Sequence, residues 1–252
     1  MPRSPILSLM IANRAKPRAI RMQADGEEAT IYLYDVIGAG DMWGDGETTE
    51  DIVKAIRALD AKRINIRINS PGGDVFAARA IGLALRQHPA KIVAHIDGVA
   101  ASAASVIAMY GDEIEIAEGG MIMIHLSWGL TIGNAIEHRE TADLLDKVDA
   151  SLAKTYADRT GIDEGDIRSM LEAETWLDAE ESVAKGFADR VAEGKEAKAQ
   201  AKAPAAGQWD LSAYKHPPRA REAPPPDQLQ STWQAKRETA VRRAALYQHA
   251  AA

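Results

Sequence analysis

The sequence contains no cysteine, so disulfides and a thiolate nucleophile are excluded, and a reducing compartment fits. Aromatic residues are scarce, at 5% with two Phe, so the core must be built from Ala, Ile, Leu, Val and Met with closely packed backbones. No apolar run reaches the ~18 residues that a membrane helix needs. The apolar PILSLMIA near the start follows Arg3, but the basic NRAKPRAIR after it is the wrong flank for signal-peptide cleavage. No GxxxxGK[ST] phosphate loop occurs, so ATP hydrolysis is not encoded here. His138, His216 and His249 lack metal-ligand spacing, and no metal or organic cofactor is expected.

What remains is ordinary globular composition over 252 residues, 46% apolar and 27% charged. The net charge of −7 is unevenly spread. Residues 195–252 carry ten basic and five acidic residues, leaving 20 basic and 32 acidic in 1–194. An acidic body argues against nucleic acid as its ligand.

Along the chain, 1–28 reads as a basic arm or an extra edge segment, 29–193 as the folded domain, and 194–252 as a Pro/Ala-rich linker with a basic terminal helix over 231–248. Within the domain, 29–38 (ATIYLYDVIG), 63–69 (RINIRIN) and 91–97 (KIVAHID) read as strands. They alternate with helices over 48–60 and 74–88 whose apolar residues recur at helical spacing. This β-α-β-α-β order predicts a parallel sheet with right-handed crossovers. A small-residue helix over 101–110, short strands over 113–117 and 121–125, and a long charged helix over 133–159 follow. The long helix has Leu144, Leu145, Val148 and Leu152 on one face. Helices over 163–173 and 178–185 complete the domain.

The chemistry concentrates in 98–125. Ser102 sits in GVAASAA, where a strand turns into a helix and small neighbours leave room for a substrate backbone. A serine hydroxyl needs a base, and His125, with an ordinary pKa near neutrality, is the best candidate. Upstream, Ser70-Pro71-Gly72-Gly73 joins a strand to a helix N-terminus, where glycines free backbone N–H groups to face an anion.

Four blocks in this order, INSPGGDV at 68–75, DGVAASAAS at 97–105, MIMIH at 121–125 and ETWLDAEESVAKGFAD at 174–189, resemble the Clp-protease proteolytic-subunit (ClpP) family. The resemblance covers roughly 30–192, and its ETW block, AASAAS run and C-terminal extension are similar to the phage head-maturation (prohead) branch. It implies an α/β fold, the ClpP/crotonase-type spiral of βαβ units with a long handle-like helix, assembled in rings. It also implies a Ser102 nucleophile, His125 as base and then acid, and an oxyanion hole from the Gly73 and Ala103 N–H groups. The third triad member falls on Glu174 by alignment through Trp176-Leu177, with Glu172 and Asp178 as fallbacks. Gly72, Trp128 and Gly129 become substrate-binding candidates.

The implied activity is a serine endopeptidase acting on a capsid or scaffold precursor in the host cytoplasm, within an assembling prohead. The arm does not resemble the axial loops that dock an unfolding ATPase, so no ATPase partner is carried over. Two rivals are a catalytically silent capsid-assembly or scaffolding protein on the same body, and a crotonase-type acyl-CoA enzyme.

Overall fold

The computed structural model describes residues 13, 20–43, 47–192, 209–212 and 214–218. Expectations for 1–12, 194–208 and the helix over 231–248 lie outside the described residues.

An antiparallel hairpin of β1 (Ile20–Asp25) and β2 (Glu28–Leu33) opens the sheet. Part of the stretch read as a basic arm is thus an edge strand, its backbone groups paired from Ile20↔Leu33 to Asp25↔Glu28. After the short α1 (Ala39–Trp43) comes α2 (Thr49–Arg57), which starts at a capping box between Thr48 and Asp51 and buries Ile52 and Ile56. β3 (Arg63–Ser70) has period-two character: Arg63, Asn65 and Arg67 share one face, while Ile64, Ile66 and Ile68 are fully buried on the other. α3 (Val75–Arg86), capped by Asp74, presses Ala78, Ile81 and Leu85 onto the core.

β4 (Lys91–Ala101) is the central strand, and burial on both faces explains its near-continuous apolar run. It runs to Ala101, beyond the expected end at residue 97, and the helix α4 (Ala103–Ala108) starts at 103. The extra length exists because β4 serves two ladders. Val93–Ile96 pairs in parallel with β5 (Glu113–Ile116), and Val99–Ala101 pairs in parallel with β6 (Met121–Ile124). The main sheet runs β1-β2-β3-β4-β5-β8, and β6 leads off it to β7 (Thr175–Leu177). β2, β3, β4, β5 and β8 (Arg190–Val191) form parallel pairs, as the alternating pattern predicted.

The long α5 (Ala135–Thr160) buries Val148, Leu152, Ala153 and Tyr156. Its expected apolar face fails at Leu144, which is 53% exposed, because the first half of the helix extends past the core. α6 (Glu164–Ala173) and α7 (Ala179–Ala184) start at Asp163 and Asp178 caps.

One element is unforeseen. Within the stretch read as a linker, Trp209, Leu211 and Tyr214 are buried in a small cluster with Val36, Val99, Ala101 and Met123. Asn13 pins this tail segment by a reciprocal pair with Asp210: Asn13 Nδ2 donates to Asp210 O at 2.9 Å, and Asp210 N to Asn13 Oδ1 at 2.8 Å.

Candidate active site

The fork in β4 builds the site. Ser102 follows the end of the β4 branch paired with β6, and its N–H donates to Met123 O at 2.9 Å. His125 follows β6 directly. β7 runs antiparallel to β6 with Ile124 opposite Thr175, so continuing that register sets Glu174 opposite His125. Residues 102, 125 and 174 are therefore brought together by strand pairing across 23 and 49 residues of sequence.

Ser102 has φ 54 and ψ −125, one of two non-glycine residues with positive φ among the described residues. This sharp strand-to-helix turn presents the side chain at the mouth of the turn instead of folding it into the helix. Ser102 O accepts from Ser105 N at 2.9 Å and Ser105 Oγ at 2.6 Å, and Ser105 Oγ in turn meets Tyr156 Oη of α5 at 2.8 Å. His125 Nε2 lies 2.7 Å from Ser102 Oγ, a distance suited to proton transfer. Burial lowers the His125 pKa from 6.5 to about 4, against the opposing pull of the Glu174 and Asp149 carboxylates, so the imidazole is a neutral base at pH 7.

Gly72 and Gly73 require their lack of a side chain. At Gly72, with φ +98, a Cβ would stand 2.7 Å from both Ala101 O and Ser102 Cβ and 3.2 Å from Ala103 N. At Gly73, with φ +150, it would stand 2.1 Å from Ile37 O. The bridge to Ile37 uses Gly72 O and Asp74 N, and no acceptor among the described residues takes the Gly73 N–H or the Ala103 N–H. Gly73, Ser102, Ala103 and His125 share the wall of a cleft of about 450 Å³. Trp128 and Gly129 also line it, whereas Gly72 does not and lies close against Ala101 and Ser102.

Glu174 is buried and left-handed, with φ 52. Its Oε1 accepts from His216 N at 2.8 Å and from Trp176 Nε1 at 3.4 Å, and no hydrogen bond joins it to His125. The two fallbacks are engaged elsewhere: Glu172 is exposed and pairs with Arg168 at 3.3 Å, and Asp178 caps α7. His95 is buried against Asn65 and Glu115, and His88 bonds Leu59 O at 3.0 Å, so both are structural. Among the described residues no His/Asp/Glu cluster could hold a metal ion, and no helix is long and apolar enough to cross a membrane.

Three contributors escaped sequence reasoning. Asp149 on α5 is buried, accepts from Ser127 N at 2.6 Å and acts on His125 by its charge. Its signal was a lone acid beside Val148 in an apolar stripe. Phe76 lines the cleft yet is 56% exposed. Tyr214 packs edge-on against His125 with ring centroids 5.4 Å apart. Its signal was two aromatics, Trp209 and Tyr214, in an otherwise Ala/Pro-rich stretch.

A serine at a strained strand–helix turn, bonded to a neutral imidazole at the wall of a cleft, defines a serine hydrolase. A family model for the Clp protease matches residues 35–195. The "ATP-dependent Clp protease proteolytic subunit" of Ligilactobacillus salivarius is 30% identical over 189 residues, 71% of this chain and 96% of the relative. "ATP-dependent Clp protease proteolytic subunit 2" of Treponema denticola is 31% identical over 173 residues, 66% and 84% of the two chains. A protein of Pleurastrum terricola with the same name as the first is 30% identical over 193 residues, 71% and 97%. The chain belongs to the Clp protease family and is a serine-type peptidase.

Proposed function

We propose that this chain is an endopeptidase that cleaves a capsid or scaffold precursor during phage head maturation, as a self-associating ring. The observation that carries the peptidase reading is the 2.7 Å contact between His125 Nε2 and Ser102 Oγ at the strained turn. Ser102 attacks the peptide carbonyl while His125 takes its proton. The Gly73 and Ala103 amides receive the oxyanion, and His125 returns the proton to the leaving amine. Water, activated by the same imidazole, then releases the acyl group. Glu174 supplies the negative charge that favours the transient imidazolium; its opposite register to His125 and its electrostatic pull on that ring support this role. Trp128 and Gly129 are the assigned substrate contacts on the cleft wall.

The capsid substrate rests on the ETW block, the AASAAS run and the extension past the family match. Self-association is supported by exposed apolar residues at Leu130, Ile132 and Ile136 on the approach to and start of α5. Co-expression of capsid precursor with wild-type or Ser102→Ala chain tests the proposal. Precursor cleavage and fluorophosphonate labelling are expected with wild type alone. Labelling that survives in Ser102→Ala removes Ser102 from its role, and an uncut precursor beside a labelled wild type removes the capsid substrate.

A further inference from the structure

We propose that Tyr214, outside the region matched by the family, is a positioning residue of the active site, holding both the imidazole of His125 and the SPGG loop. None of 209–212 or 214–218 lines the cleft.

Tyr214 touches several parts of the site at once. Its ring meets His125 edge-on at 5.4 Å and 81°. The same ring meets Trp176 of β7 at 5.7 Å and 76°. Its hydroxyl donates to Pro71 O at 2.7 Å, immediately before Gly72-Gly73. Neighbouring tail groups hold the same pieces: Trp209 Nε1 donates to Asn69 O at 2.9 Å, and His216 N donates to Glu174 Oε1 at 2.8 Å. Nucleophile turn, base, acid strand and oxyanion loop come from four separate elements, and the Tyr214 side chain reaches all of them, its hydroxyl also interacting with the Ser102 side chain. Because the ring is itself buried, it also keeps water from the imidazole. The charged groups acting on that imidazole are Glu174 before β7 and Asp149 on α5, which raise its pKa, and Lys215 on the tail, which lowers it; burial, the largest cause, outweighs the two carboxylates.

The inference rests on the Ser102/His125 reading above, and full-length variants test it through the pH profile of fluorophosphonate labelling. Tyr214→Ala opens the imidazole to water, so its acid limb is expected to move up from about 4 toward 6.5, with the maximal labelling rate down about 10- to 100-fold. Tyr214→Phe keeps the ring and should restore the wild-type limb. Loss of its bond to Pro71 O should lower the maximal rate about 2- to 10-fold, with reagent affinity unchanged. An unmoved limb in Tyr214→Ala, or a wild-type rate in Tyr214→Phe, overturns the proposal. The Phe variant decides alone if the Ala variant does not fold. A wild-type chain that never labels, or labelling that survives Ser102→Ala, overturns instead the reading on which the proposal rests, and the proposal with it.

Discussion

Arg67 and Asp97 face each other on adjacent strands, the guanidinium reaching the carboxylate through Nε at 2.9 Å and Nη2 at 2.5 Å. Tyr34 Oη bonds the same carboxylate, whose side chain is fully buried. Burial raises the Asp97 pKa, and the tyrosine and guanidinium hold it down. A pair of this kind contributes little against an apolar replacement of both partners, but removing one leaves a buried charge without compensation. Arg67→Met is therefore expected to destabilise by about 3 kcal/mol, read as a lower denaturant midpoint at unchanged slope. Arg67 and Asp97 were visible in sequence only as polar positions in strands; their partnership needed the β3–β4 register, which pairs Arg67 with His95 and puts Asp97 diagonally across.

Among the elements, α4 shows how far local chemistry determines structure. Every residue of Ala103–Ala108 is buried, and tiny side chains let it lie against both the sheet and α5. Ala104 has no exposure and sits within the main core cluster. Ala104→Leu should cost about 1–3 kcal/mol by overpacking and slow Ser102 labelling, because the helix start carries the nucleophile. Differential scanning and labelling rates together check this. The order β2, α2, β3, α3, β4, α4, β5, β6 and the Ser102 turn were legible in sequence, since each depends on neighbours within a few residues, whereas α1 and β7 were not. The fork in β4 was not, because a buried strand reads the same whichever ladder it joins. Nor was the hydrogen bonding of Glu174: alignment placed it beside the base, but its partner His216 comes from 42 residues further on.

At the scale of the whole molecule, acid is the revealing variable. His95 and His125 are both held neutral, with pKa values lowered from 6.5 to about 4 by burial. Below pH 6.5 the unfolded chain takes up protons that the folded one refuses, so stability rises with pH and is lost as pH falls from 6.5 toward 4. Asp97, raised above its ordinary 3.8, works in the opposite sense nearer its own titration. The interval from about 6.5 to 5 therefore reports mainly the histidines. Chemical denaturation should show a folding free energy lower by more than about 1 kcal/mol at the acid end. His95→Gln should flatten that slope while leaving labelling by Ser102 intact, since His95 lies outside the cleft lining.

The left-handed backbone at Ser102 sets function against thermal endurance. Two replacements there abolish the nucleophile equally, yet they should not melt alike. Alanine keeps the Cβ that this backbone disfavours, whereas glycine adopts positive φ freely, so Ser102→Gly should outlast Ser102→Ala on heating by the equivalent of about 1 kcal/mol. If the order is reversed, the turn is not strained. If it holds, the working enzyme keeps a conformational tension that its inactive glycine form would shed, and selection for heat resistance alone would drive the chain toward silence.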